Sequence, residues 1–149
     1  MPGSLKAHYL RSKAVEYAWT FLGLPYIWGG DDPVRGFDCS GLVVEVLQAV
    51  GLIPHRSDFT AGGLYDRFSK HAVDKGYAGC LVLWFDQAGT ASHIELMADD
   101  YHTIGASGGG SATTTAQAAI DQNAFVKMRP IGYRGPNYKI VDPFLGVPE

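Results

Sequence analysis

Cys39 is the residue of this chain best placed for nucleophilic chemistry. It lies in the stretch "GFDCSGLV" (36–43), directly after a glycine-rich loop and at the predicted start of a helix. Unpaired backbone N–H groups and the positive end of the helix dipole favour a thiolate at such a position. The same N–H groups can hold the oxyanion that forms during attack on an amide carbonyl. The competing interpretation is a small apolar residue at the edge of a core, which is the commoner role of a cysteine.

A cysteine nucleophile needs a base, and His93 is the histidine that best suits this role. It opens the apolar run "HIELMA", so its ring is expected to project from a rigid strand end. His102 lies across a short turn, on the neighbouring predicted strand. A lone strand histidine is more often a packing residue than a base, so the combination of Cys39 with His93 carries the prediction. The remaining histidines are expected at the solvated surface: His8, His55 and His71.

The aromatic and acidic residues around the glycine-rich loop have two interpretations each. Tyr26 and Trp28 can be core anchors, or they can wall a cleft in which the tyrosine hydroxyl donates a hydrogen bond. Asp38, beside the predicted helix start, can cap that helix or receive a substrate amine. The spacing of the aspartates in this region matches no calcium loop, so we predict neither a metal nor another cofactor.

Cys80, the second cysteine, is predicted to be structural. It begins the unbroken apolar run "CLVLWF" (80–85), whose pattern resembles neither a loop nor a helix start. Two cysteines are too few for a disulfide framework, and too few further ligands accompany them for a structural zinc site.

The composition indicates one globular domain over residues 1–149 and excludes several classes of function. The net charge is −3 and no block of lysine or arginine occurs, so nucleic acid is not an expected partner. No apolar run reaches membrane-spanning length, so membrane insertion is not expected. The first residues lack the apolar core and cleavage site of a secretory signal, and we expect cytoplasmic synthesis, another export route or an excised domain. The oligomeric state is left open.

The first half of the chain has the pattern of helices. Apolar residues recur at helical spacing from Leu10 to Phe21, and a second helix is predicted from Cys39 to Val50 with Gly51 as its cap. A short third helix is predicted to start at Thr60, and the loop at 26–38 is predicted to be irregular.

The second half of the chain has the pattern of a small antiparallel sheet. Short apolar or alternating runs, separated by turn residues, are predicted strands at 80–85, 92–98, 101–107 and 124–131. The run "TTTAQAAIDQ" (113–122) is either a short helix or an active-site loop, and residues 1–7 and 135–149 are predicted to be peripheral. Helices first and strands afterwards indicate an α+β fold with segregated layers.

The motifs around Cys39 and His93 resemble those of the NlpC/P60 cysteine peptidases. The family pattern is a P-Y-x-W-G-G loop, then F-D-C-S-G-L, then a G-D-L-V-F-W-like strand, then H-V-G-I. This chain has "LPYIWGG" and "FDCSGLV", and "SHIEL" follows with its histidine 54 positions after the cysteine. The resemblance covers residues 8–130. It implies a papain-like α+β fold in which N-terminal helices pack on a small antiparallel sheet.

The resemblance also assigns roles to individual residues. It implies that Cys39 is the nucleophile, that His93 is the general base and acid, and that Tyr26 lies near the oxyanion. Asp38 and Ser40 match positions that in some members help to bind the free amine of a stem peptide. Trp28, from the same aromatic loop, is a further candidate for substrate binding.

Two positions depart from the family pattern. The third polar residue, which usually orients the catalytic histidine, falls on Gly105, where no side chain is present. Glu95 is one replacement, because strand alternation places it on the same face as His93. The other candidates for this orienting role are His102 and the backbone or a water molecule at position 105. In the strand that usually begins G-D-L-V, Cys80 replaces the aspartate and removes a carboxylate expected to be structural.

The sequence therefore predicts a cysteine endopeptidase or amidase that acts on peptidoglycan stem peptides, with the bond after D-γ-glutamate as the expected site. The cell wall is the predicted place of action, with phage-type or non-classical delivery and a phage or prophage origin. Two alternatives stay open. One is a cell-wall-peptide binding module with weakened catalysis, and the other is a papain-like amidase or acyltransferase that acts on another amide.

Overall fold

The computed structural model describes residues 2–149. Three of its α-helices lie in the first half of the chain, and the strands of its main sheet follow them. The helices are α1 (Leu5–Trp19), α2 (Cys39–Ala49), α3 (Ala61–Phe68) and α4 (Ala116–Gln122). The strands are β1 (Asp31–Asp32), β2 (Gly36–Phe37), β3 (Ala72–Val73), β4 (Leu81–Phe85), β5 (Ala91–Met97), β6 (His102–Ser107), β7 (Phe125–Pro130) and β8 (Tyr138–Val141).

The main sheet is antiparallel throughout and has the order β3-β8-β4-β5-β6-β7. Helix α2 packs on β5 and β6, and α1 packs on α2. The predicted α+β class, with N-terminal helices against a small antiparallel sheet, is confirmed. The four predicted strands are present as β4 to β7, and their ends differ from the predictions by at most one residue.

Local signals set the helix starts as expected. Helices α2 and α3 begin after Asp38 and Thr60, whose side chains accept hydrogen bonds from the backbone N–H three residues later. The run at 113–122 contains a helix, α4, which is capped in the same way by Thr115. The loop at 26–38 is more regular than predicted, because β1 and β2 form a two-residue ladder within it.

The prediction that residues 135–149 are peripheral is wrong. Strand β8 lies inside the main sheet, between β3 and β4, and Phe144 beyond it is fully buried. At the other terminus, the hydroxyl of Ser4 donates to the carbonyl of Val147, and Ala7 is fully buried. The two ends of the described chain therefore pack against each other and against the core.

A buried ion pair links α1 to the segment after β8. The Nη2 atom of Arg11 lies 2.6 Å from Oδ2 of Asp142, and both side chains are inaccessible to solvent. The hydroxyl of Tyr77 donates to the same carboxylate oxygen at 2.6 Å. The negative charge of Asp142 adds to the effect of burial in raising the pKa of Cys80, the residue at the position where the family pattern has its aspartate. Two distant segments thus supply one charge pair to the core.

None of the four helices combines the length and the apolar character that crossing a membrane would require, as far as residues 2–149 are concerned. Within the same residues, no three histidine, cysteine or acidic side chains meet in a group that could hold a metal ion.

Candidate active site

Cys39 and His93 line one cleft where the start of α2 meets the start of β5. The cleft has a volume of about 420 Å3, and its wall includes Tyr26 and Trp28 of the aromatic loop and the segment 107–110. Cys39 is the first residue of α2 and is half-buried, whereas only 4% of His93 is exposed. The structure therefore brings together the two residues that the sequence motifs single out.

His93 is held by a carboxylate on its own strand. Oε2 of Glu95 lies 2.6 Å from Nε2 of His93, and Glu95 is fully buried. Two hydroxyl groups also donate to this carboxylate: Thr103 Oγ1 reaches Oε1 at 2.6 Å, and Tyr133 reaches Oε2. The ring of Trp84, directly across from His93 on β4, packs against the imidazole with centroids 5.6 Å apart. The imidazole is thus fixed from several sides.

The charge on Glu95 determines which nitrogen of His93 carries the proton. Burial by itself would raise the pKa of Glu95, but the hydrogen bond and charge of His93, with the hydroxyls of Thr103 and Tyr133, lower it below its ordinary value. An ionised carboxylate can only accept, so Nε2 of a neutral His93 must be the donor. The lone pair of that tautomer is on Nδ1, which can then act as a base.

The absence of a side chain at position 105 has a steric cause. Gly105 lies on β6, beside β5, and a Cβ atom at this position would lie 2.2 Å from Cγ and 2.4 Å from Cδ of Glu95. The space that a third polar residue at 105 would need is therefore filled by Glu95. Of the orienting groups that the sequence left open, Glu95 is the one in contact with His93.

His102 has a different environment. Its Nδ1 atom lies 3.0 Å from Oδ1 of Asp99 in the turn that joins β5 to β6, and its side chain is 43% exposed. It does not line the cleft. The interpretation of His102 as the group that orients His93 is therefore wrong.

Cys39 is a thiol rather than a preformed thiolate at neutral pH. Burial raises the pKa of Cys39, and the negative charge of Asp38 raises it further. The backbone N–H groups of Ile94 and Ser40 favour the thiolate, as does the positive charge of Arg134, but they do not cancel the effect of burial. The N–H groups at the helix start, which favour a thiolate, are therefore outweighed by burial in the free protein. Such a thiol needs a base at the moment of attack.

Asp38 has a structural role that the sequence left undecided. Its Oδ1 atom accepts from the N–H of Gly41 at 2.7 Å and so caps α2, and its Oδ2 atom accepts from the N–H of Gly29 at 3.1 Å. One carboxylate thus joins the helix that carries Cys39 to the aromatic loop. Asp38 and Ser40 also line the cleft, so they remain available to a substrate amine.

Tyr26 and Trp28 wall the cleft in different ways. Tyr26 is buried, and its ring lies so close to Gly109 that a Cβ there would be 2.3 Å from it. Burial is the largest cause that raises the pKa of Tyr26 to about 12, and the nearby charge of Asp38 adds to it, so the hydroxyl stays protonated. Trp28 is 53% exposed at the rim. Tyr26 is therefore both part of the core and part of the cleft wall, whereas Trp28 lies only in the cleft wall.

The sequence interpretation missed cleft residues on and after the last strands of the sheet. Ser107 ends β6 and Arg134 lies in the loop after β7, and both line the cleft. Tyr133, next to Arg134, donates to Glu95. Gly132 and Gly135 flank these two residues and indicate a turn. No local pattern indicates that a side chain of this turn contacts Glu95.

Cys80 is fully buried, as predicted. Burial raises the pKa of Cys80 to about 12, which leaves it an unreactive thiol. Of the three histidines expected at the surface, His55 is exposed, whereas His8 and His71 are partly buried.

Comparison with known families agrees with this arrangement of fold and cleft. The sequence profile of the NlpC/P60 family matches residues 23–129, and the chain belongs to this family. Protein P54 of Enterococcus faecium is 35% identical over 133 residues, which are 85% of this chain and 21% of that protein. The gamma-DL-glutamyl hydrolase of Bacillus subtilis is 50% identical over 44 residues, which are 29% of this chain and 11% of the hydrolase.

A further relative is the murein DD-endopeptidase MepH of Escherichia coli, 37% identical over 76 residues, which are 49% of this chain and 27% of that protein. The chain thus spans less than a third of the length of each of these relatives. An NlpC/P60 family protein of Bacillus cereus has a TM-score of 0.69 at 23% identity, with 91% of this chain and 40% of that chain covered. The NlpC/p60 domain of the peptidoglycan hydrolase SagA has a TM-score of 0.63 at 24% identity, with 89% and 97% covered. These two similarities show the fold.

Proposed function

We propose that this chain is a cysteine endopeptidase that hydrolyses peptide bonds in peptidoglycan stem peptides. The observation that carries the proposal is that Cys39 and His93 line one cleft and that Glu95 holds the ring of His93. A nucleophile, a base and a group that fixes the base are the minimum set for thiol hydrolysis of an amide. The names of the relatives, which include hydrolases and endopeptidases of murein and γ-glutamyl bonds, support the substrate class.

In the proposed reaction, Nδ1 of His93 takes the proton from the thiol of Cys39 as the sulfur attacks the scissile carbonyl. The sulfur–carbon bond forms, the carbonyl oxygen becomes an oxyanion, and His93 then gives its proton to the leaving amine as the carbon–nitrogen bond breaks. Water, deprotonated by His93, cleaves the resulting thioester and restores Cys39. Because the pKa of Cys39 is raised, the thiol needs His93 to take its proton.

The oxyanion is assigned to donors at the start of α2 and to Tyr26. The first N–H groups of a helix have no partner within the helix, and they converge near Cys39. The hydroxyl of Tyr26 stays protonated because its pKa is raised to about 12. It can therefore donate to the developing negative charge.

For the scissile bond, we infer cleavage after D-γ-glutamate. The gamma-DL-glutamyl hydrolase matches this chain at 50% identity, against 37% for the murein DD-endopeptidase, although over fewer residues. A free amine next to the γ-glutamyl residue would reach Asp38 and Ser40 on the cleft wall. Action on the cell wall follows from this substrate, and delivery by a phage-type route stays a prediction from the sequence.

The alternative of a binding module with weakened catalysis rested on the missing side chain at position 105. Glu95 occupies that space and contacts His93 directly, so the glycine is no argument for lost activity.

The proposal is tested by mass spectrometry of purified muropeptides before and after incubation with three forms of the protein. The wild type should release new peptides, Cys39→Ala should release none, and Cys80→Ala should act nearly as the wild type does. The masses of the products locate the cleaved bond. Equal loss in both cysteine variants, or release that persists in Cys39→Ala, contradicts the proposal.

The role of Glu95 is tested separately with Glu95→Gln. The glutamine keeps the size of the side chain but removes the charge that fixes the tautomer of His93, and we expect kcat/KM to fall by about 100- to 10,000-fold. The 15N chemical shifts of His93 should change from the Nε2–H pattern to a mixture of tautomers. Glu16→Gln, at an exposed position, is the control. Unchanged shifts and unchanged kcat/KM would show that Glu95 does not orient His93.

A further inference from the structure

Helix α1 carries a row of large apolar side chains on its solvent-facing side. Of the seven large apolar side chains that are exposed among residues 2–149, three lie on this helix: Leu5 is 78% exposed, Tyr9 61% and Trp19 48%. Ser12 and Glu16, which are also exposed, complete a series with steps of four and three residues. At 3.6 residues per turn, these five side chains lie within about 80° of the helix surface. We call this row the α1 stripe. A contiguous row of exposed apolar groups indicates a contact surface, whereas single ones do not.

An apolar groove lies beside the second half of the α1 stripe. It has a volume of about 310 Å3 and is lined by Arg11, Ser12, Val15, Glu16, Trp19 and Ala78. Ala78, from the segment between β3 and β4, forms its far wall, and the surface that the groove presents to solvent is mostly apolar. The first half of the stripe has the opposite shape, because Leu5 and Tyr9 protrude from it. One helix thus has protruding apolar side chains near its start and a groove near its end.

These two shapes are self-complementary when two copies of α1 run antiparallel. About a two-fold axis at Ser12, a residue that precedes Ser12 in one copy faces the residue that follows it by the same number of positions in the other. Leu5 lies seven positions before Ser12, and Trp19 lies seven after it. Tyr9 lies three positions before, and Val15 lies three after. At 1.5 Å per residue, Leu5 and Trp19 are each about 10 Å from the axis. Leu5 and Tyr9 of one copy therefore lie over the groove of the other, and the contact occurs twice.

The polar residues of this face fit the same register. His8 lies four positions before Ser12 and Glu16 four after, so the carboxylate of one copy faces the imidazole of the other. An imidazole can donate to a carboxylate, and complementary groups of this kind fix the register of an interface. The side chain of Ser12 is small, so two helices can approach closely at the axis. The apolar contacts are therefore flanked by complementary polar groups.

We propose that this face of α1 is an interface between two copies of this chain, with the helices antiparallel and the two-fold axis at Ser12. The helix has 15 residues and is about 22 Å long. One helix pair of this length buries less area than a standard interface, so the dimer is weak and forms as the concentration rises. Within residues 2–149, no residue of α1 lines the cleft that contains Cys39. The inference is therefore independent of the proposed function.

Sedimentation velocity tests the dimer. Between about 5 μM and about 1 mM, where a small interface dissociates, the wild type should change from the mass of one chain to the mass of two. Tyr9→Lys places a charge over the apolar groove and should keep the protein monomeric throughout this range. Tyr101→Lys is the matched control, because it changes a similarly exposed tyrosine in the turn between β5 and β6. This control should dimerise as the wild type does.

The position of the axis is tested by cross-linking. Ser12→Cys in a Cys39→Ala background should form a disulfide-linked dimer under mild oxidation, because the two thiols meet at the axis. Cys80 is fully buried and can stay in place. Lys6→Cys, exposed on the same helix, is the control. Its two thiols would be about 18 Å apart along the paired helices, so it should cross-link at least tenfold more slowly.

A charge exchange tests the register. Glu16→Lys should weaken the dimer, since two cationic groups then face each other, and the added change His8→Glu should restore it.

A chain that stays monomeric up to about 1 mM overturns the proposal, whether or not the stripe binds another molecule. A dimer that persists in Tyr9→Lys, or equal cross-linking at positions 12 and 6, also overturns it, because the contact would then use another face or another axis. Failure of the charge exchange to restore the dimer contradicts the register and with it the proposed axis.

Discussion

Gly105 and Glu95 lie opposite each other on neighbouring strands, so close that a Cβ atom on residue 105 would lie 2.2 Å from Cγ of the glutamate. The two positions therefore form one unit: the glycine leaves the space and the carboxylate fills it. Since Glu95 is also 2.6 Å from His93, whatever moves Glu95 also moves the imidazole.

The variant Gly105→Ala is expected to reduce both stability and turnover. The added methyl group must displace Glu95, and overpacking of this kind in a buried site destabilises by about 1–3 kcal/mol. The displaced carboxylate no longer fixes His93, so kcat should fall with it. Urea denaturation and kcat are the two measurements. Gly132→Ala, where a Cβ atom meets nothing within 4 Å, is the matched control and should change neither.

The variant Tyr133→Phe is expected to shift the acid limb of the pH–rate profile. In the folded protein the pKa of Glu95 is lowered, partly by the hydroxyl of Tyr133, so removal of the hydroxyl raises it. The carboxylate is then protonated at a higher pH as the solution is acidified, and activity should be lost earlier. At the optimum we expect a loss of about tenfold.

The pH profile of kcat/KM from pH 4 to pH 9 measures this shift. Tyr138→Phe is a matched control, because Tyr138 also packs against Trp84 but lies outside the hydrogen bonds of Glu95. An acid limb that stays in place in Tyr133→Phe, or moves equally in both variants, would show that the hydroxyl of Tyr133 does not tune Glu95.

Alkylation of Cys39 by iodoacetamide should rise with pH and have a midpoint above that of free cysteine, which is about 8.5. The direction follows from burial, which raises the pKa of the thiol, and from the charge of Asp38. Asp38→Asn keeps a residue that caps helices but removes the charge, so the midpoint should decrease and alkylation at neutral pH should accelerate.

The experiment is done in a Cys80→Ala background and followed by mass spectrometry. Asp31→Asn, at an exposed position of the same loop, should leave the midpoint unchanged. A midpoint at or below that of free cysteine in the parent protein would show that burial does not govern the pKa of this thiol.

Asp142→Asn is expected to destabilise the fold strongly. It leaves the guanidinium group of Arg11 buried without a charged partner, which typically destabilises by about 3–5 kcal/mol. Urea denaturation measures the change. Joint replacement, Arg11→Met with Asp142→Leu, should recover part of the loss, whereas Lys13→Ala, in an exposed ion pair, should have no measurable effect. A single variant as stable as the wild type would show that this pair does not hold α1 to the sheet.

The parts of the fold and site that the sequence predicts are those set by local signals. Cys39 follows a capping aspartate and a glycine-rich loop, and His93 opens the buried part of β5, so short motifs suffice for both. Strands β4 to β7 are apolar runs bounded by turn residues, which is why their bounds are close to the predicted ones.

The parts that the sequence does not predict depend on contacts between distant segments. Arg11 and Asp142 are 131 positions apart, and neither lies in a pattern that indicates a buried charge. Strand alternation places Glu95 on the same face of β5 as His93. The sequence does not show that Glu95, rather than His102, orients His93, because this depends on how Glu95 packs against Gly105. Strand β8 has only four residues and follows a turn, which is too short a run for periodicity to identify.

Strand β8 also affects the order in which the protein can assemble. During synthesis, β3 and β4 emerge from the ribosome long before β8, the strand that separates them in the sheet. Until then each has an unpaired edge of N–H and C=O groups that can associate with other chains. The sheet can therefore be completed only after translation has passed Val141, and the strand that is added last enters one position in from the edge of the sheet rather than at the edge itself.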